Sequence, residues 1–204
     1  MDTRIGIGWD SHAFKAGVPL RLGGMTLEHP EGLAGHSDGD VLLHAITDSL
    51  LGSISAGDIG TFFPPGDPRW KDADSAIFLK LALEELKNAG YQIVNIDTTL
   101  IMAAPRISPI AGEMRARVAD LLGVDLDQVS IKAKTPEGLG LDHVAQCQAI
   151  ALVERALDEE DLKSMAAVVE SQRQLEDVVD DLLTSVHGIQ KKRIAPVYDT
   201  EDIT

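Results

Sequence analysis

The chain has 204 residues, 44% of them hydrophobic, and a formal net charge of −15. That length and apolar content suit one domain with a real core plus an appendage, while the charge repels nucleic acid and anionic membranes. One cysteine, Cys147, excludes an intrachain disulfide and a Cys-based zinc site, and no apolar run approaches the ~20 residues of a membrane span.

Arg4-Ile5-Gly6-Ile7-Gly8-Trp9-Asp10-Ser11-His12 is expected to be a strand ending in Asp-x-His. Residues i and i+2 of a strand point the same way, so Asp10 and His12 present a carboxylate and an imidazole to one point. Pro19 to Leu27 predicts a hairpin turning on Gly23-Gly24, and Gly32 to Gly35 a flexible approach to a helix. That helix carries His36-Ser37-Asp38-Gly39-Asp40-Val41-Leu42-Leu43-His44 and ends near Gly52. Ser37 or Asp38 is expected as its N-cap, with Asp40 in the first turn. Asp40, His44 and Asp48 follow an i, i+4, i+8 spacing and share a face. Alone, His44 reads as a core histidine. With Asp10 and His12 it completes one carboxylate and two imidazoles, a Zn²⁺-type set with a fourth position open. Asp48 reads either as an orienter of the His44 ring through its other nitrogen or as a plain surface aspartate.

Asp58 to Pro68 is a Gly/Pro-rich stretch with two phenylalanines, read as a connector or a mobile lid. Asp74 or Ser75 caps a helix to about Asn88, stopped by Gly90. Tyr91 to Met102 is strand-like and is broken by Ala103-Ala104-Pro105-Arg106. A helix from Ile110 to Leu122 follows Pro109 and ends at Gly123. Val129 to Lys134 is a short strand. Strand and helix patterns compete over Val144 to Arg155, and context favours a strand. From Asp158 onward twelve acids face five bases, and Val168, Leu175, Val178, Val179, Leu182, Leu183 and Val186 give a helical stripe. Domain boundaries are expected at 1–157 and 158–204, the second an amphipathic surface helix with a disordered polar tail, or a partner-binding element. The opening residues hold no basic-then-apolar leader, and a reducing, cytoplasmic setting is expected.

These motifs resemble the 2-C-methyl-D-erythritol 2,4-cyclodiphosphate synthase family of the non-mevalonate isoprenoid pathway. The matching stretches are Arg4-Ile5-Gly6-x-Gly8-x-Asp10-x-His12, His36-Ser37-Asp38-Gly39-Asp40-Val41-x-x-His44-Ala45, Gly57-Asp58-Ile59-Gly60, Phe63-Pro64, Ala73-Asp74-Ser75, Ala104-Pro105-Arg106, and Lys132-Ala133-Lys134-Thr135-x-Glu137-Gly138-Leu139-Gly140. The resemblance implies an α+β fold, a mixed sheet backed by helices, in a homotrimer with active sites between subunits. It implies a lyase that closes a cyclic diphosphate and releases CMP from a cytidine diphosphate substrate, using side chains to position and neutralise phosphates.

By the same resemblance, Asp10, His12 and His44 hold Zn²⁺ and Glu137 places Mg²⁺ or Mn²⁺. Thr135 and His36 stabilise the transferred phosphoryl, Ser37 helps hold the phosphate end, and Ser11 is a further substrate-binding residue. Asp58, Ile59, Gly60, Phe63, Pro64, Pro65, Gly66 and Asp67 correspond to segments that contact the methylerythritol phosphate. Met102, Ala103, Ala104, Pro105, Arg106, Ile107, Ser108 and Lys134 correspond to the cytidine diphosphate pocket, and Leu141 is a further substrate-binding residue. Pro65 replaces a common acid. The family's usual Phe-x-Gly-Arg-Gly-Glu-Gly is replaced by Leu141-Asp142-His143-Val144-Ala145-Gln146, without the Arg that meets a bound anion or isoprenoid diphosphate near the trimer axis. Two other readings of the ligand set are a zinc hydrolase and a non-catalytic trimeric scaffold with a structural metal. The first needs a general base for water, the second a closed four-ligand site.

Overall fold

The computed structural model describes residues 2–64, 66–157 and 159–193. The chain divides into two units, Met1–Ala156 and Leu157–Thr204. In the first, the strands are β1 (Thr3–Ala16), β2 (Leu20–Leu22), β3 (Met25–Leu27), β4 (Glu31–Leu33), β5 (Tyr91–Ile101), β6 (Val129–Lys134) and β7 (Val144–Arg155). The helices are α1 (Val41–Ser53), α2 (Ile59–Phe62), α3 (Ala76–Asn88) and α4 (Ala111–Leu122), with short 3-10 turns at Pro68–Trp70 and Leu126–Gln128. The described part of the second unit is one helix, α5 (Glu159–Arg193).

The main sheet runs β4-β1-β7-β5-β6. Its pairs are antiparallel except β5 with β6, which are parallel, so the sheet is mixed as expected. Strand β7 resolves the ambiguity over Val144 to Arg155. Ala145, Cys147, Ala149, Ala151 and Val153 alternate inward and are fully buried. A period of two on a half-buried sheet outweighs the helix-compatible residues.

Helix α1 lies on this small-residue face. Val41, Leu42, Leu43, Ala45, Ile46, Leu50 and Leu51 are all 0% exposed, and each large one contributes about 1.5–3 kcal/mol. Gly6 and Gly8 set how closely α1 approaches. A Cβ on Gly6 would stand 1.8 Å from the Ser49 carbonyl oxygen, and one on Gly8 1.9 Å from that of Ala45. The buried Ser49 and Ser53 hydroxyls donate to carbonyls three residues back in their own helix, leaving no orphan beneath the strand.

On the opposite face of β1, Ile5, Ile7 and Trp9 are 66%, 62% and 58% exposed. Ile150 of β7, opposite Ile7, is also exposed.

The β2–β3 hairpin turns on Gly23 and Gly24, both at positive φ. It is tied to α1 through Asp40, whose carboxylate accepts from the N–H groups of Gly23 (2.9 Å), Gly24 (2.7 Å) and Leu43 (3.0 Å). Asp40, not Ser37 or Asp38, is therefore the N-cap. Burial pushes its carboxyl upward, against the pull of those three donors.

Two further expectations change. The Gly32–Gly35 approach contains β4, which pairs with β1, because the β1 edge supplies partners for its backbone. The Asp58–Pro68 stretch is not a bare loop. It holds α2 and leads into a 3-10 turn, with Phe63 buried against Trp70 and Phe78 at ring distances of 4.8 and 4.3 Å. The expected disorder beyond residue 193 lies outside the described residues.

Candidate active site

Strand β1 delivers Asp10 and His12 on one face, and the first full turn of α1 delivers His44. Asp10 Oδ2 lies 2.8 Å from His12 Nε2 and 2.9 Å from His44 Nδ1, and the two imidazole nitrogens are 3.1 Å apart. The three donor atoms fall within 4.8 Å of one another, close enough to share one divalent ion.

The remaining ring nitrogens are engaged elsewhere. His12 Nδ1 donates to the Ala34 carbonyl at 2.6 Å, which leaves Nε2 as the ligating atom. His44 Nε2 lies 2.8 Å from Ser75 Oγ and 3.2 Å from Ser37 Oγ. Ser75, fully buried at the N-cap of α3, donates its hydroxyl to Asp38, and its N–H reaches the same carboxylate at 3.1 Å. The ring is thus held with Nδ1 turned toward Asp10.

Electrostatics follow the geometry. Burial alone would raise the Asp10 carboxyl, but hydrogen bonds and charge from His12 and His44 outweigh it and hold it well below the usual range. Burial would lower His12. The hydrogen bond and charge of Asp10 outweigh that and raise it.

The expected role of Asp48 is corrected. Its Oδ1 accepts from the Ile59 N–H at 2.8 Å, anchoring the start of α2, and Ser75 occupies the Nε2 side of His44. An i+4 carboxylate on a helix shares a face with the ring, but the outer nitrogen points across to α3.

The other expected residues form two groups. Ahead of α1, His36 Nε2 donates to the Asp67 carbonyl at 2.9 Å, joining the segment before the helix to the segment after Phe63. Ser37 and Asp38 border a cavity of about 290 Å³ that also includes Lys15 and Arg21. Asp58 accepts from Thr61 and caps α2, next to Ile59 and Gly60. Asp67 pairs with Arg69 at 2.7 Å. The Phe63 ring is turned inward, so contact with a ligand there falls to backbone. Pro64 and Gly66 are exposed, and Pro65 lies outside the described residues. Ser11 projects from β1 on the face opposite Asp10 and His12.

The second group lines a separate cavity of about 320 Å³ where β5 and β6 end. Met102, Ala103, Pro105, Arg106, Ile107, Ser108, Lys134, Thr135 and Glu137 border it, and Thr135 donates to the Glu137 carboxylate. Ala104 belongs to the same turn, through a cis peptide to Pro105, while Leu141 stands outside the lining. None of Asp10, His12 and His44 lines this cavity. One chain therefore gathers the expected residues into two separate groups.

The sequence gives Ser75 and Asp38 capping roles only, and no part in holding the His44 ring. Lys15 and Arg21 lie in no motif of the sequence. No local spacing links Ser75 to His44, thirty-one residues earlier.

On this α+β domain, a carboxylate–imidazole–imidazole cluster able to share one divalent ion stands apart from a cavity lined by Lys134, Thr135 and Glu137. Residues 3–154 match the YgbB family, and the chain belongs to it. A 2-C-methyl-D-erythritol 2,4-cyclodiphosphate synthase from Koribacter versatilis is 53% identical over 152 residues, covering 74% of this chain and 98% of that one. Its namesake from Moorella thermoacetica is 52% identical over 137 residues, covering 67% of this chain and 84% of that protein. A solved structure of such a synthase with CDP bound superposes with a TM-score of 0.70 at 35% identity, covering 74% of this chain and all of that one. Helix α5 lies beyond the family match.

Proposed function

We propose that the chain is a 2-C-methyl-D-erythritol 2,4-cyclodiphosphate synthase, a CMP-releasing phosphorus–oxygen lyase of cytoplasmic isoprenoid-precursor synthesis. The convergence of Asp10, His12 and His44 within a YgbB-family domain carries the reading. The 2-phosphate of 4-diphosphocytidyl-2-C-methyl-D-erythritol 2-phosphate attacks the β-phosphorus. The new P–O bond closes the cyclic diphosphate as the bond to the CMP phosphate breaks, and CMP leaves with that electron pair.

Asp10, His12 and His44 would hold Zn²⁺, and Glu137 Mg²⁺ or Mn²⁺, which supply Lewis-acid charge neutralisation to the diphosphate when bound. The chain supplies position. Ala34 and Ser75 fix the two imidazoles, so no reorganisation accompanies ligation. Thr135 and His36, whose donors meet Glu137 and the Asp67 carbonyl in the chain alone, would turn them to the transferred phosphoryl, and Ser37 its hydroxyl to the phosphate end. The turn from Met102 to Ser108 with Lys134 receives the cytidine diphosphate portion. Asp58 to Asp67 borders the methylerythritol phosphate.

The division into two half-sites and the apolar outer face of β1 and β7 both favour a homotrimer. In it the metal cluster of one subunit faces the Thr135–Glu137 cavity of the next. Ile5, Ile7 and Trp9 then have a partner surface instead of water. Residues 1–157 carry the activity and 158–204 are an addition to it.

The test is CMP release from this substrate, followed by anion-exchange chromatography with Mg²⁺ and Zn²⁺ and then with chelator. Metal-dependent CMP is expected. A folded, metal-loaded protein that releases none contradicts the reading.

A further inference from the structure

Helix α5 exposes a continuous apolar stripe. Leu162, Met165, Val168, Leu175, Val179 and Leu182 are each between 46% and 67% exposed. From Met165 the stripe follows strict alternating steps of three and four residues through Val168, Gln172, Leu175, Val179 and Leu182, and the sequence continues it with Val186 and Ile189. More than three heptads at this spacing specify a left-handed coiled-coil seam. Between Met165 and Leu182 the charged residues lie off the seam, with Glu176 alone beside it.

A helix of 35 residues, about 50 Å long, gains little from its own hydrogen bonds and needs its apolar face covered. The acidic outer face repels nucleic acid and anionic lipid. The uncharged seam matches another seam of the same kind, and every copy of this chain carries one. We propose that α5 is a homotypic assembly element, in which the helices of three copies wind into a parallel, in-register coiled coil. This rests on the trimeric reading of the domain. A threefold axis sets identical residues of the three helices at one height, so Gln172 forms a single polar layer that fixes the register. Val179 followed by Leu182 suits two strands on its own. Val169, Val178 and Leu183 widen the stripe beyond a two-stranded seam, and a threefold domain supplies three helices.

The test is oxidative cross-linking of the full chain, in which Cys147 is fully buried and does not compete. Val179→Cys places a thiol on the seam and Asp180→Cys places one off it. On oxidation the Val179→Cys protein is expected to give disulfide-linked pairs from about two thirds of the chains, because a trimer leaves one thiol unpaired. The yield should not change on tenfold dilution, and Asp180→Cys should give none. Adding Leu175→Asp should abolish the pairs while CMP release stays at the parent level. Equal cross-linking at both positions, or none at Val179→Cys, overturns the coiled coil. Complete cross-linking at Val179→Cys overturns the three-stranded form. Sedimentation of a chain ending at residue 157 tests the domain separately, since that part spans the whole of a solved homologous chain. A monomer there defeats the trimeric domain and leaves the cross-linking result to judge α5.

Discussion

Ser75→Ala removes a hydroxyl that touches no expected substrate group and should nevertheless weaken the metal site. Ser75 Oγ lies 2.8 Å from His44 Nε2 and donates to Asp38. Losing an outer partner of a ligating histidine costs 10–100-fold in metal affinity, or about 1.4–2.8 kcal/mol. The low end is expected, because Ser37 Oγ remains 3.2 Å from the same nitrogen and the Ser75 N–H still engages Asp38. Zn²⁺ affinity should therefore fall about tenfold in competition with a chromophoric chelator. Turnover should recover at saturating metal, since Nδ1 still faces Asp10. Asp48→Asn is the control. Its carboxylate serves Ile59, so zinc affinity should hold while α2 loosens. Equal affinity in Ser75→Ala and parent, or a larger loss in Asp48→Asn, would refute the reasoning.

Gly8→Ala should destabilise the fold without touching a ligand. Its Cβ would meet the Ala45 carbonyl at 1.9 Å, and because backbone must move, the cost lies at or above the ~3 kcal/mol end of overpacking, about 6 °C or more in Tm by calorimetry; an unchanged Tm would contradict the close approach of α1. The Asp10–His12 pair should contribute most to the stability of the metal-free protein between about pH 4 and pH 6.5. The depressed Asp10 contributes stability present above its unfolded pKa and lost as pH falls, whereas the raised His12 contributes stability present below its unfolded pKa and lost as pH rises through its folded one. Zinc affinity, by contrast, should climb with pH as His12 gives up its proton, and a flat metal-free Tm profile with pH-independent affinity would count against both shifts. Mixed trimers of His44→Ala and Thr135→Ala, each inactive alone, should regain about a quarter of the parent turnover after co-refolding, because random mixing pairs an intact cluster with an intact Thr135 at one interface in four; no recovery would place both half-sites in one chain.

Much of the fold was legible where a single period dominated. The alternation around Asp10 and His12, the Gly23-Gly24 turn, the Ser75 start and the Gly123 stop all lie within short windows that local chemistry decides. The metal cluster was legible for the same reason, since Asp-x-His needs only a strand and His44 only a helix. What escaped depends on partners distant in the chain. Asp40 became the N-cap because Gly23 and Gly24 bring donors to it, and no helix-start rule contains that hairpin. Spacing favoured Asp48 over Ser75, yet the free side of the His44 ring faces α3 and not its own helix. Gly6 and Gly8 were noticed as a motif, while their reason, the crossing of α1 at backbone contact, exists only in three dimensions. β4 is three residues long and held by the β1 edge, too short for any period to register. Motif order carries no information on which residues share a cavity, so a divided site was implied by the family resemblance alone and not by any local pattern.

The most direct measurement is phosphorus NMR of the purified chain with 4-diphosphocytidyl-2-C-methyl-D-erythritol 2-phosphate, Mg²⁺ and Zn²⁺. The account predicts loss of the substrate resonances and growth of CMP together with a cyclic diphosphate in equal amounts, all abolished by chelator and by His44→Ala. Inorganic phosphate in place of the cyclic product would make water the nucleophile and contradict it.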